Sequence, residues 1–170
     1  NCATDRTKRP TSIEYLTYFN CGRVSETQNV QTVREFTLIV KENQTVEVMD
    51  GGYNLNAWTF NGTVPGPTMR FTEGDLVKIT LINDANNTHS HSLHMHSIHP
   101  GVMDGTYGES IVAPGENFTY VFTASPYGVY PYHCHVQPVG DHINRGLYGM
   151  MIIDPKTPRP QMHEMAMLMN

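Results

Sequence analysis

His133, Cys134 and His135 set one thiol between two imidazoles in three consecutive residues. A soft thiolate beside imidazole is a ligand combination that suits copper. On a strand, successive side chains leave on opposite faces. Cys134 would then point one way, and His133 and His135 the other. The segment His91-Ser-Leu-His94-Met-His96 follows the same parity. His94 and His96 would share a face, about 7 Å apart at the backbone, and His91 would take the opposite one. Two such strands side by side would gather His94, His96, His133 and His135 on one surface. They would bring His91 and Cys134 together inside. His142 follows Cys134 after a loop of seven residues and can fold back to the same point. The expected first site is therefore His91, Cys134 and His142, a thiolate and two nitrogens in the trigonal set of an electron-transfer copper centre. The four-histidine surface is a candidate second copper site.

Other readings compete with these. A cysteine with two histidines also serves catalytic zinc, and a lone cysteine is often a small buried hydrophobe. The four-histidine surface could be a half-filled remnant rather than a metal site. A cupin-type barrel would need a glutamate shortly after His96, and none is there. His89 and His99 read as loop histidines, and Trp58 with Tyr127, Tyr130 and Tyr132 as core rather than an electron path.

The elements that must hold these residues are strands. From Val33, Phe36, Leu38 and Val40 alternate with Thr37, Ile39 and Lys41, the period of a half-buried strand. Further strand-like runs lie at 45–49, 56–61, 68–71, 76–82, 91–97, 117–123, 129–133 and 148–153. Turn signals such as Pro65-Gly66-Pro67, Glu73-Gly74-Asp75 and Pro126-Tyr127-Gly128 separate them. Short strands with regular Gly and Pro punctuation predict an all-β Greek-key sandwich or barrel. The expected divisions are an irregular N-terminal arm at 1–30 with a short helix from Ser12 to Phe19, one sandwich at 31–155, and a tail at 156–170.

With 170 residues and a net charge of -5, the chain is long enough for one core and carries no concentrated basic surface for nucleic acid. No apolar run is long enough to cross a membrane. Eight of the nine histidines lie between His89 and His142. A bond between Cys2 and Cys21 would tether the arm at about 3 kcal/mol and imply an oxidising compartment; two free surface thiols are the other reading. Sequons at Asn43, Asn61, Asn86 and Asn117 fit export. The expected location is extracellular or periplasm-like, with any membrane association coming from a part outside this sequence. The tail carries Met162, His163, Met165, Met167 and Met169, soft donors that favour Cu(I) or side chains that simply pack on the barrel.

Several motifs carry a family resemblance. Asn61-Gly-Thr-Val-Pro-Gly-Pro-Thr-Met-Arg and Glu73-Gly-Asp-Leu-Val-Lys-Ile-Thr are followed by His91-Ser-Leu-His94-Met-His96. Pro114-Gly-Glu-Asn-Phe-Thr-Tyr, Gly128-Val-Tyr-Pro-Tyr-His133-Cys134-His135 and His142-Ile-Asn-Arg-Gly146-Leu147 complete the series. Together they resemble a cupredoxin domain of the multicopper oxidase and copper nitrite reductase superfamily over about residues 45–155. The resemblance implies a type 1 copper on His91, Cys134 and His142, and a role for His94, His96, His133 and His135 in an oxygen-reducing cluster. It puts Leu147 at the axial position, where many relatives have methionine. Leucine cannot ligate, so the potential should be high, or the position open to a small ligand. Family members carry two, three or six such domains, and this sequence holds one. A second copper site would therefore need neighbouring subunits, with a homotrimer favoured. Where nitrite reductases have an aspartate between their first-strand histidines, this chain has His94.

The expected function is one-electron transfer with a redox partner protein or a small-molecule donor. The alternatives are an oxidase or nitrogen-oxide-converting enzyme with a second copper at a subunit interface, and copper storage or delivery.

Overall fold

A computed structural model of the chain describes residues 2–3, 12–26, 31–47, 52–98 and 101–169, with side chains from residue 14 onward. Among them lie eleven strands: β1 (Cys2–Ala3), β2 (Phe19–Asn20), β3 (Arg23–Glu26), β4 (Thr32–Glu47), β5 (Asn54–Phe60), β6 (Met69–Thr72), β7 (Leu76–Asn83), β8 (His94–Met95), β9 (Asn117–Thr123), β10 (Gly128–His133) and β11 (Tyr148–Asp154). Helix α1 spans Ser12–Leu16 and α2 spans Val139–Asn144.

The strands form two sheets. One runs β1-β2-β6-β11-β10-β8; the other runs β3-β4-β7-β9, with β5 also on β4. Parallel pairing of β4 with β7 and of β6 with β11 joins strands distant in sequence, so the chain crosses between sheets. Alternation decides which side chains go inward. Phe36, Leu38 and Val40 of β4, Val77, Ile79 and Leu81 of β7, and Met69, Phe71, Met151 and Ile153 of the facing sheet form one buried cluster. Edge-to-face contacts of Phe71 with Phe36 at 5.8 Å and Phe122 at 6.0 Å join the sheets across it. The result is the expected all-β sandwich.

The structure departs from the sequence reading in several places, one being Tyr127, which is 60 % exposed rather than core. The arm contributes short strands: β2 pairs with β6 and β3 with β4. The run at 45–49 is no separate strand, because β4 continues to Glu47 through an irregularity between Lys41 and Gln44. The run at 91–97 is strand only at β8, with His91 held by an isolated bridge to Val112. Strand alternation therefore does not run through that segment, and tertiary hydrogen bonds orient it instead. The helix Ser12–Leu16 stops short of the expected end at Phe19, which enters β2 instead. The expected Cys2–Cys21 bond falls on a side chain outside the described residues, as does His99. Cys134 is a free, buried cysteine.

Candidate metal centre

Three elements bring the first donor set together. Cys134 follows directly on β10, where its N–H donates to Leu147 O at 3.0 Å. His91 is fixed by two backbone hydrogen bonds with Val112, at 3.0 and 2.8 Å. His142 is carried on α2 rather than on an extended loop. Pro138 sits at the N-terminal cap of that helix, where its missing N–H costs nothing. Gly146 follows the helix at φ +119°, and a Cβ there would meet Trp58 O at 2.6 Å. Only glycine lets the chain turn this close to the Trp58 backbone.

All three donors are buried, at 0 % for His91 and Cys134 and 2 % for His142. Their ligand atoms lie within 4.8 Å of one another. Cys134 Sγ is 3.7 Å from His91 Nδ1 and 3.2 Å from His142 Nδ1. Metal–N and metal–S bonds of about 2.0 and 2.3 Å at tetrahedral angles would separate N and S by about 3.5 Å. The donors thus already stand at the edges of one ion's coordination shell. Two hydrogen bonds order the thiol side: Ser92 N–H donates to Cys134 Sγ at 3.5 Å, and His135 N–H donates to Ser92 Oγ at 3.2 Å. Burial pushes the Cys134 thiol pKa up and the His91 and His142 pKa values down, His91 to about 4. Without a cation the three donors are therefore neutral, and binding a metal ion must release the thiol proton.

Trp58 walls this set. Its ring centroid lies 5.2 Å from His91, 4.9 Å from His142 and 4.7 Å from the half-exposed His89, with the Arg145 guanidinium 4.7 Å above it. It is core, as expected, and it is also the surface on which both imidazoles rest. Leu147 is fully buried in the same cluster as Cys134.

The second set is shallower. Donor atoms of His94, His96 and His133 lie within 4.8 Å of one another. His135 is brought alongside, its ring centroid 4.9 Å from His94 and 5.9 Å from His133. His96 Nε2 and His133 Nε2 are 3.2 Å apart, and His133 Nδ1–H donates to Cys134 O at 2.9 Å. Burial, followed by a smaller effect of the neighbouring imidazoles, lowers the His133 pKa. His91 and Cys134 thus lie inside, and His94, His96 and His133 come together nearer the surface with His135 alongside.

Two carboxylates at these sites escaped the sequence reading. Asp104 approaches His94, with its carbonyl 2.9 Å and its Oδ1 3.3 Å from Nδ1. Gly105 makes the approach possible, since a Cβ there would sit 2.1 Å from Leu93 O. Nothing local in the sequence signals this long-range contact. Glu42 lies against His91, with Oε1 3.0 Å from Nε2. Its signal was present: Glu42 continues the inward parity of Phe36, Leu38 and Val40, a charged residue where an apolar one is due.

The comparisons with known proteins agree with this chemistry. The sequence profile of the multicopper oxidase family matches residues 37–158. A copper-containing nitrite reductase of Neisseria meningitidis is 38% identical over 113 residues, covering 66% of this chain and 29% of that protein. One of Rhizobium meliloti is 38% identical over 127 residues, covering 73% and 32%. Among solved structures, a multicopper oxidase superposes with TM-score 0.79 at 39% identity over 86% of this chain and 51% of its own. A copper nitrite reductase from Nitrosomonas europaea gives 0.66 at 43% identity over 74% and 42%. The chain thus spans about a third of the length of these curated relatives.

Proposed function

The chain belongs to the multicopper oxidase family, and from that premise we propose that it is a copper redox protein whose working centre is His91, Cys134 and His142. When bound there, copper supplies one-electron chemistry by cycling between Cu(I) and Cu(II). The convergence of one thiol and two imidazole nitrogens within 4.8 Å, sealed from water, carries the reading. The burial of all three donors favours a capped three-donor set, with Leu147 at the axial position, over one open to a small ligand. Metal analysis and the visible spectrum test this. The expected result is tightly held copper with an intense thiolate-to-copper band that Cys134→Ser abolishes. Zinc in the purified protein, or copper retained without that band in the wild type, would overturn it.

A second reading is an oxidoreductase acting on oxygen or a small nitrogen oxide. The observation that favours it is the grouping of His94, His96 and His133, with His135 alongside. Three or four imidazoles on one surface make half of a site, which a neighbouring subunit would complete, a trimer being the expected assembly. Two or more coppers per chain in an oligomer would support it; one copper per chain in a monomer would sink it.

The methionine-rich tail supports copper handling as a third role. Met162, Met165, Met167 and Met169 are 56 to 86 % exposed, whereas Ala166 is tied to Leu16 by a 2.8 Å backbone hydrogen bond. Replacing the four by leucine should lower Cu(I) uptake and leave the visible band intact. Among the described residues no helix is long and apolar enough to cross a membrane. Export to an oxidising compartment remains the proposed setting, and a non-reducing peptide map for Cys2 and Cys21 tests it.

A further inference from the structure

We propose that Glu42 is a positioning residue for the buried centre: it fixes which nitrogen of His91 faces Cys134, and it places a fixed negative charge beside that ligand. The inference rests on the reading of His91, Cys134 and His142 as the copper set.

Glu42 is a buried carboxylate surrounded by donors. Oε2 accepts from Thr88 N–H at 3.2 Å and Thr88 Oγ1–H at 2.9 Å. Oε1 accepts from His89 N–H at 3.0 Å, and faces His89 Nδ1 at 3.2 Å and His91 Nε2 at 3.0 Å. A backbone N–H, which can only donate, meets each oxygen, Thr88 N–H on Oε2 and His89 N–H on Oε1, so both oxygens act as acceptors, as in an ionised carboxylate. The His91 proton therefore sits on Nε2, and the Nδ1 lone pair is left pointing at the thiol. A neutral imidazole has one proton to place, so a partner on Nε2 settles the tautomer before any metal arrives.

The carboxylate is itself held rigidly. Glu42 N–H donates to Asn87 Oδ1 at 2.8 Å. Asn87 Nδ2 reaches Val40 O at 2.9 Å and Asn83 Oδ1 at 2.6 Å, and Asn83 Nδ2 reaches His89 O and Val112 O, both at 2.9 Å. Val112 is the residue that bridges His91. One polar network thus locks both the carboxylate and the backbone of the ligand it serves. The two imidazoles are treated differently, since His142 rests on Trp58 and His91 is both packed and clamped.

A negative charge beside a ligand favours the more positive oxidation state. Glu42 should therefore lower the reduction potential, opposing the effect of a non-ligating Leu147. The test separates charge from orientation. Glu42→Gln keeps an acceptor for His91 Nε2–H and removes the charge; Glu42→Ala removes both. In copper-loaded protein, Glu42→Gln should raise the potential with the visible band in place. Glu42→Ala should shift the band and weaken Cu(II) binding about 10- to 100-fold, the usual scale for an outer-shell partner. Potentials, spectra and Cu(II) affinities equal to wild type in both folded variants would overturn the inference. Failure of the wild type to show copper at Cys134 would overturn the underlying reading instead.

Discussion

At the residue scale, the centre is governed by what burial does to charge. His91 is held neutral, its pKa lowered to about 4 from 6.5 by burial, against which the Glu42 hydrogen bond works. Burial works to raise the Glu42 pKa, but hydrogen bonds from His91, Thr88 and His89 overcome it and hold the carboxyl at about 2 rather than 4.5. Both shifts have the same sign for stability. Between pH 6.5 and 4 the unfolded chain takes up a proton that native His91 refuses; between 4.5 and 2 the same holds for Glu42. Folding is therefore favoured above these windows and loses stability as pH falls through them. The unfolding free energy of the copper-free protein, read from denaturant titration, should fall on acidification from pH 7 to 4, by at most about 1.4 kcal/mol per pH unit per group, and the midpoint with it. A midpoint that is flat or rising over that range would contradict the assignment. A second expectation concerns the axial position. If Leu147 is the axial residue as proposed, Leu147→Met would offer a thioether donor there and should lower the potential in a redox titration.

At the element scale, the histidine segment is barely a strand, and its shape comes from what it is bonded to. Tyr120 Oη accepts from Leu93 N–H at 2.9 Å and donates to Ser110 O at 2.7 Å, from a fully buried position on β9. Burial drives the Tyr120 pKa well above its ordinary value, so the hydroxyl keeps its proton and serves both partners. Tyr120→Phe would leave both backbone groups unpaired at about 1–3 kcal/mol. Chemical denaturation should show that loss, together with weaker copper retention, because the Leu93 backbone lies between His91 and His94. Normal stability with normal retention would show that the Val112 bridge alone orients the segment. The same reasoning covers α2, where Pro138 and Gly146 bound a short helix that presents His142 inward.

At the scale of the whole molecule, there are two donor sets, one sealed in the sandwich and one nearer its surface. Their separation predicts independence. His96→Ala should leave the visible band and the first copper unchanged and remove only the copper that belongs to the surface set. Copper analysis beside light scattering checks this, and loss of the band in that variant would show that the sets share structure. Arg70, hydrogen-bonded to Asp154 at 2.6 and 2.9 Å and to Glu164 at 2.6 Å, fastens the tail at Glu164 to β6 and β11. The tail methionines are thus carried on an anchored segment. The sequence by itself determined the sandwich, because inward and outward side chains alternate along β4, β7 and β11. It also determined the donor types, because a cysteine between histidines has few other uses. Parity suggested which histidine would join which set, but the segment that carries His91, His94 and His96 is strand only at His94–Met95, so its hydrogen bonds to distant residues, not alternation, set the grouping. Only the tertiary structure decided that Glu42 clamps His91, that Asp104 reaches His94 and that Trp58 backs both imidazoles. These contacts join residues far apart in sequence, and no local periodicity encodes a partner that the folding of two sheets brings within hydrogen-bonding distance.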